Sequence, residues 1–244
     1  VGSVTETECR HREGYGAEKN AYAVVHKLSF CSNADLQIPN QRKNGYLYAM
    51  KNIVFDLGGV LFARDKNKST QEFHEFFSFI RSERMPLFWE EYDRGASTLG
   101  EVTDILARTT GCPREKCERF LLLSIDMQEP VAPTERLVGD LKAAGYRLYV
   151  LSNMSREFID FLRRFPVYGL FDGEVVSCEE GTVKPEPRIY EILLERYGLD
   201  PAETLFIDDR AANIAAAEGL GIAGYLFDHR NPAAACDELR RRLL

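Results

Sequence analysis

The clearest hydrophobic pattern in the chain opens at Met50. Lys51-Asn-Ile-Val-Phe-Asp56 is a short apolar run that ends in a carboxylate and two glycines, Gly58-Gly59. Such a run predicts a buried strand followed by a sharp turn. Helix-period signals come next. Phe73, Phe76, Phe77 and Ile80 share one face of a helix over 71–81, and Pro86–Asp93 carries the only tryptophan, Trp89. Thr98 with Glu101 has the spacing of a capping box, Pro113 opens a further helix through Leu123, and a helix over Pro133–Ala144 stops at Gly145. No strand-like segment is expected to interrupt this stretch. From Arg147 the pattern changes to alternation. Strands are expected at 147–151, 174–177, 204–207 and 222–227. Helices are expected at 155–165, 186–197 and 211–220, with a last one after Pro232. Strand–helix alternation predicts a parallel sheet covered on both faces. In such sheets ligands bind beyond the carboxyl ends of the strands.

Residues 1–49 lack either period and are rich in Gly, Asn, Gln and charge. The expectation is an N-terminal extension outside the fold, with Met50 as the natural start; a flexible arm is the alternative. The remaining composition narrows the field. The 244 residues are 45% hydrophobic and 28% charged, which suits a globular domain with one insertion. A net charge of −7 argues against a nucleic-acid partner or an anionic membrane surface. The six cysteines form no Cys-x-x-Cys pair and the four histidines are scattered, so neither a disulfide framework nor a zinc site is expected. No apolar run is long enough for a bilayer, and the cytoplasm is the expected location.

Polar clusters fall at the predicted strand ends. Asp56 follows the first strand. Ser152-Asn153 follows the second, where a hydroxyl and free amides at a helix start can cradle phosphate. Lys184, held between Val183 and Pro185 just before a helix, can offer a point charge to phosphate. Asp208-Asp209 ends a later strand, and adjacent carboxylates favour a hard cation such as Mg²⁺. Taken singly, each has an ordinary explanation: a loop carboxylate, a helix cap, a solvated lysine, an N-cap aspartate. Together, at successive strand ends, they point to one site.

In that order, Phe55-Asp-Leu-Gly-Gly-Val60, Leu151-Ser-Asn153, Lys184-Pro-Glu-Pro187 and Phe206-Ile-Asp-Asp209 resemble motifs I to IV of the haloacid dehalogenase-like (HAD) hydrolases. The segment Trp89-Glu-Glu-Tyr-Asp-Arg-Gly95 resembles the cap of the subgroup that includes bacterial α-glucose-1-phosphate phosphatase and the phosphatase domain of soluble epoxide hydrolase. The resemblance implies an α/β, Rossmann-like core at 50–63 and 132–244, with an all-helical C1-type cap at 64–131. It implies an Mg²⁺-dependent phosphatase acting on a small phosphorylated metabolite such as a sugar phosphate. Asp56 would be the nucleophile. Asp56, the Gly58 carbonyl and Asp209 would hold Mg²⁺, with Asp208 behind them. Ser152, the Asn153 amide and Lys184 would bind the phosphoryl group. Asn213 is expected to brace the loop.

One departure stands out. Where most relatives carry an acid–base aspartate two residues after the nucleophile, this chain has Gly58. Asp65, His74 and Glu91 in the cap are conceivable substitutes. The gap keeps a catalytically silent phosphate-binding protein open as an alternative. A haloacid dehalogenase is a further one, although it needs no metal and so leaves Asp208-Asp209 unexplained. Phe62, Trp89 and Tyr92 are candidates for substrate contact, with core packing as the plainer role.

Overall fold

The structure, a computed structural model, describes residues 50–81 and 85–244, so the expectations for 1–49 lie outside the described residues. In chain order, β1 is Asn52–Phe55 and β2 is Phe62–Arg64. The helices α1 (Gln71–Phe76), α2 (Leu87–Asp93), α3 (Leu99–Thr110) and α4 (Arg114–Asp126) follow. Then come β3 (Gln128–Pro130), α5 (Ala132–Ala143), β4 (Arg147–Ser152), α6 (Arg156–Leu162), β5 (Gly173–Val176) and α7 (Ser177–Glu180). The chain closes with α8 (Pro187–Tyr197), β6 (Thr204–Asp208), α9 (Ala211–Gly219), β7 (Ala223–Leu226) and α10 (Pro232–Leu243).

Five strands form a parallel sheet in the order β5-β4-β1-β6-β7. Alternate residues of each strand point to opposite faces, and two separate cores result. Ile53, Phe55, Leu148, Val150, Leu205 and Ile207 pack with Leu137 and Leu141 of α5 and Leu239 of α10. Val54, Tyr149, Leu151 and Phe206 pack with Ile189, Tyr190 and Leu193 of α8 and Ile214 of α9. From β1 the chain builds outward through β4 to β5, then crosses to β6 and β7 on the other side. The order therefore reverses between β1 and β6, where an open α/β sheet leaves a crevice at the strands' carboxyl ends.

The stretch between β2 and β3 is helical, with a core of its own around Phe73, Trp89, Tyr92, Val102, Leu106 and Leu121. The predicted capping box at Thr98 is present, both side chains bonding as expected. Two details correct the sequence reading. The helix expected over 71–81 is α-helical only to Phe76 and tightens to a 3-10 turn at Ser78–Arg81. The insertion is also bracketed by strands: β2 and β3 pair antiparallel, Phe62 opposite Pro130 and Arg64 opposite Gln128. Strands of three residues are too short to show a period of two. Their pairing closes the two ends of the insertion onto one hinge. Among the described residues no helix is long and apolar enough to cross a membrane.

Candidate active site

The residues after β1, β4 and β6 meet at the reversal of strand order. The amide of Asp56 donates to the carbonyl of Ile207, so the β1–β6 pairing carries Asp56 beside the end of β6. Asp56 is buried, and one of its oxygens, Oδ1, takes three close contacts: the amide of Leu57 at 2.7 Å, the hydroxyl of Ser152 at 2.9 Å and Nζ of Lys184 at 2.9 Å. These contacts, all to one oxygen, fix the side chain.

Lys184 is the hinge of the electrostatics. Its side chain is 1% exposed and its Nζ also donates to Asp208 Oδ2 at 2.6 Å and to the Leu151 carbonyl at 3.0 Å. Burial alone would push this lysine down, but Asp208 and Asp56 outweigh it and hold the ammonium charged. The lysine is aimed by its own backbone. The Asn153 side chain accepts from the Lys184 amide at 2.7 Å and donates to its carbonyl at 2.9 Å. Sequence reasoning gave Asn153 only its backbone amide; its side chain instead clasps the lysine loop, a contact between residues 31 apart.

Asp208 is fully buried and its oxygens are committed. They take Lys184, the Asn213 side chain at 3.0 Å and the Arg210 amide at 2.8 Å. Asn213 thus braces the loop through Asp208. Asp209 differs: its side chain is 18% exposed, and His229 Nδ1 lies 3.4 Å from its Oδ2. His229 was not singled out in the sequence, although it lies just past β7 and so obeys the strand-end rule.

Oxygens of Asp56, Asp208 and Asp209 lie within 4.8 Å of one another, a carboxylate group able to hold a metal ion. Burial pushes Asp56 up to about 7, with Lys184 pulling against it and Asp208 and Asp209 adding to the rise. Asp209 is likewise held up by burial and by Asp208. Both shifts mark negative charge that a cation would relieve. The turn after β1 fits around Asp209. Gly59 has φ +79, and a Cβ there would lie 2.5 Å from Asp209 Oδ2. The peptide backbone therefore comes as close to this carboxylate as a glycine permits. At Gly58, by contrast, a Cβ would meet nothing within 4 Å.

The insertion contributes a fourth wall. At the end of α2 three consecutive residues dock on the core. The Asp93 carbonyl accepts from Ser177 Oγ. Arg94 bonds both oxygens of Glu186, at 2.7 and 3.0 Å. Gly95, φ +78, leaves no room for a Cβ against the Cys178 carbonyl, 2.5 Å away. Of the acids considered in the sequence, Asp65 accepts from the Asn67 amide and His74 shares a bond with Ser69. Phe62, Trp89 and Tyr92 are buried core residues, and the Tyr92 hydroxyl is spent on Glu157 at 2.8 Å.

Comparison with known proteins agrees with this geometry. Residues 50–221 match the model of the haloacid dehalogenase-like hydrolases. The chain is 31% identical to the sesquiterpene phosphatase astK of Aspergillus oryzae over 78% of its own length and 95% of that protein's. It is 27% identical to a D-ribitol-5-phosphate phosphatase of Bacteroides thetaiotaomicron, covering 70% of this chain and 89% of the relative. Among solved structures, a HAD family enzyme from Bacteroides thetaiotaomicron in complex with magnesium and inorganic phosphate superposes with a TM-score of 0.58 at 27% identity, over 74% of this chain and 95% of that one.

Proposed function

This chain belongs to the haloacid dehalogenase-like hydrolase family, and we propose that it is an Mg²⁺-dependent phosphomonoester hydrolase that works through an aspartyl-phosphate on Asp56. The observation that carries the reading is the buried contact of Lys184 with both Asp56 and Asp208, beside the more open Asp209. A carboxylate can attack an anionic phosphoryl group only if positive charge offsets the repulsion. Lys184 brings one such charge to the attacking group itself.

The remaining roles follow from position. Ser152 Oγ, at the end of β4, and the amide of Asn153 just after it hold phosphoryl oxygens. Asp56, the Gly58 carbonyl and Asp209 would hold Mg²⁺, whose hard-oxygen preference they meet. Bound there, the ion would supply further positive charge against the phosphoryl oxygens. Asp208, with both oxygens engaged, positions Lys184 and the Arg210–Asn213 loop. We assign the core to 50–63 and 132–244 and the cap to 64–131. The substrate class we favour is a small sugar or polyol phosphate such as glucose 1-phosphate or ribitol 5-phosphate; the second is supported by the Bacteroides thetaiotaomicron relative. The likeness to the sesquiterpene phosphatase makes a terpenyl phosphate the next to test.

The test is hydrolysis of these esters and of p-nitrophenyl phosphate, with Mg²⁺ or EDTA, by wild type and Asp56→Asn. Turnover is expected to need both the ion and Asp56. A folded wild type that binds phosphate but turns over none of the esters would instead make the chain a silent binding protein. Halide release without Mg²⁺ would favour a dehalogenase.

A further inference from the structure

We propose that Asp93, on the cap, is the acid–base residue of this site, donating the proton to the leaving group and then taking one from the attacking water. The inference rests on the phosphatase reading above. A leaving alkoxide needs a proton, and the turn after Asp56 has none to give, because the side chain at 58 is absent. Any donor must come from another wall of the crevice.

The end of α2 is that wall, and it is anchored rather than loosely apposed. Asp93, Arg94 and Gly95 each make a separate contact with the core, at Ser177, Glu186 and Cys178. Ser177 directly follows β5, whose last residue, Val176, stands opposite Ser152 in the sheet. The backbone of Asp93 is thus held at the carboxyl edge of the sheet, next to the strand end that supplies Ser152.

Neighbouring acids are committed elsewhere. Glu90 pairs with Arg94, Glu186 with Arg94 and Thr182, and Glu157 with Tyr92. Glu91 precedes Asp93 by two positions, so it projects about 200° around the helix from it. Among the described residues the Asp93 carboxyl has no hydrogen bond and no ion pair. The charged groups facing it are Arg210 before α9, Asp56 after β1, Lys184 before α8 and Glu90 on its own helix. Burial pushes Asp93 up to about 7, Arg210 and Lys184 pull it down, and Asp56 and Glu90 raise it. A carboxyl poised there can serve as acid and as base near neutral pH.

The steps balance. The Asp56 carboxylate forms a bond to phosphorus as the bond from phosphorus to the leaving oxygen breaks. That oxygen takes the Asp93 proton and departs as an alcohol. Water then attacks the aspartyl-phosphate and gives a proton to the Asp93 carboxylate. The bond from phosphorus to Asp56 breaks, releasing inorganic phosphate and restoring both carboxyls.

The test uses the full chain with Mg²⁺ and two esters: p-nitrophenyl phosphate, whose leaving group needs little protonation, and ribitol 5-phosphate, whose alkoxide needs it fully. In Asp93→Asn, rapid-quench phosphoryl transfer from ribitol 5-phosphate should slow by ~10²–10⁴-fold, and transfer from the aryl ester far less. Phosphoenzyme should accumulate, seen as one added phosphoryl group in the intact mass. Adding Gly58→Asp, for which there is open space, should recover part of the loss. Unchanged rates, or an equal loss on both esters without phosphoenzyme in a variant of unaltered melting temperature, would overturn the inference alone. A wild type inactive on both esters with Mg²⁺ would remove the phosphatase reading and this inference with it.

Discussion

Adjacent glycines after Asp56 do opposite work, and a single methyl group separates them. At Gly59 the backbone lies at φ +79 and a Cβ would fall 2.5 Å from Asp209 Oδ2. An alanine there carries the left-handed backbone cost of about 1–2 kcal/mol and must also push the Asp209 carboxylate out of the oxygen cluster. At Gly58 a Cβ meets nothing within 4 Å. Gly59→Ala is therefore expected to lower stability by at least that amount and to weaken Mg²⁺ binding. Gly58→Ala should stay within about 0.5 kcal/mol of wild type and bind the ion normally. Urea unfolding and calorimetric Mg²⁺ titration check both, and equal Mg²⁺ affinity in the two variants would contradict the placement of Asp209 among the ligands. The same pair shows what a sequence can and cannot convey at this scale. Gly-Gly after a strand-end carboxylate signals a tight turn, but which glycine is sterically required depends on Asp209, far along the chain, and no local pattern carries that.

Elements formed by local rules were the legible ones. The strands β1, β4, β5 and β6 and the helices α3, α8, α9 and α10 announce themselves by apolar period, a capping box, or Gly and Pro at their ends. Asp56, Ser152 and Asp208-Asp209 could be singled out because strand ends in an alternating pattern converge, and Lys184, in the loop before α8, by the prolines that follow it. What escaped was contact between elements. Asp93 lies inside the Trp89–Gly95 segment that resembles the subgroup's cap, but Ser177, which anchors its carbonyl, is 84 residues away, and the segment alone does not single out the aspartate. The docking of α2 has its own consequence. Arg94 holds Glu186 with both oxygens, and this bond, ahead of the opposing burial, holds the Glu186 carboxyl down to about 2. A depressed acid contributes stability that is present above its ordinary value near 4.5 and is lost only as pH falls through the depressed one. The pair is partly solvated, with side chains 25% and 43% exposed, so solvent screening limits its worth to about 0–1 kcal/mol. Arg94→Ala should thus cost little stability, and by the same amount at pH 5 and pH 8 in thermal unfolding. Its effect on turnover should be larger, several-fold in kcat, because the clamp that holds Asp93 over the crevice is loosened. A stability difference that grows between pH 5 and pH 8 would contradict this.

At the scale of the whole molecule, the insertion and the sheet are coupled through α6. The helical cluster of Phe73, Trp89, Tyr92, Leu106 and Leu121 includes one fully packed residue from beyond β3, Phe158 of α6, and Met154 and Phe161 pack against both this cluster and the sheet core. Phe158 meets the Trp89 ring at a centroid distance of 6.4 Å in edge-on geometry. The insertion's core is therefore completed by a helix that belongs to the sheet layer, and neither body buries its apolar surface fully without the other. Coupled bodies should unfold together. The chain offers a clean way to see this, because its only tryptophan, Trp89, lies in the insertion while the parallel sheet has none. Fluorescence then follows the insertion, and far-ultraviolet circular dichroism follows the whole fold. In wild type the two urea transitions of the chain should coincide. Phe158→Ala removes about 3–5 kcal/mol of packing, and it removes it at the seam. The fluorescence transition should move to lower urea ahead of the dichroism transition, and turnover should fall with it, since the walls of the crevice come from both bodies. Two transitions that shift together in the variant would mean that the hinge strands β2 and β3 and the Arg94 clamp suffice to couple the bodies without Phe158.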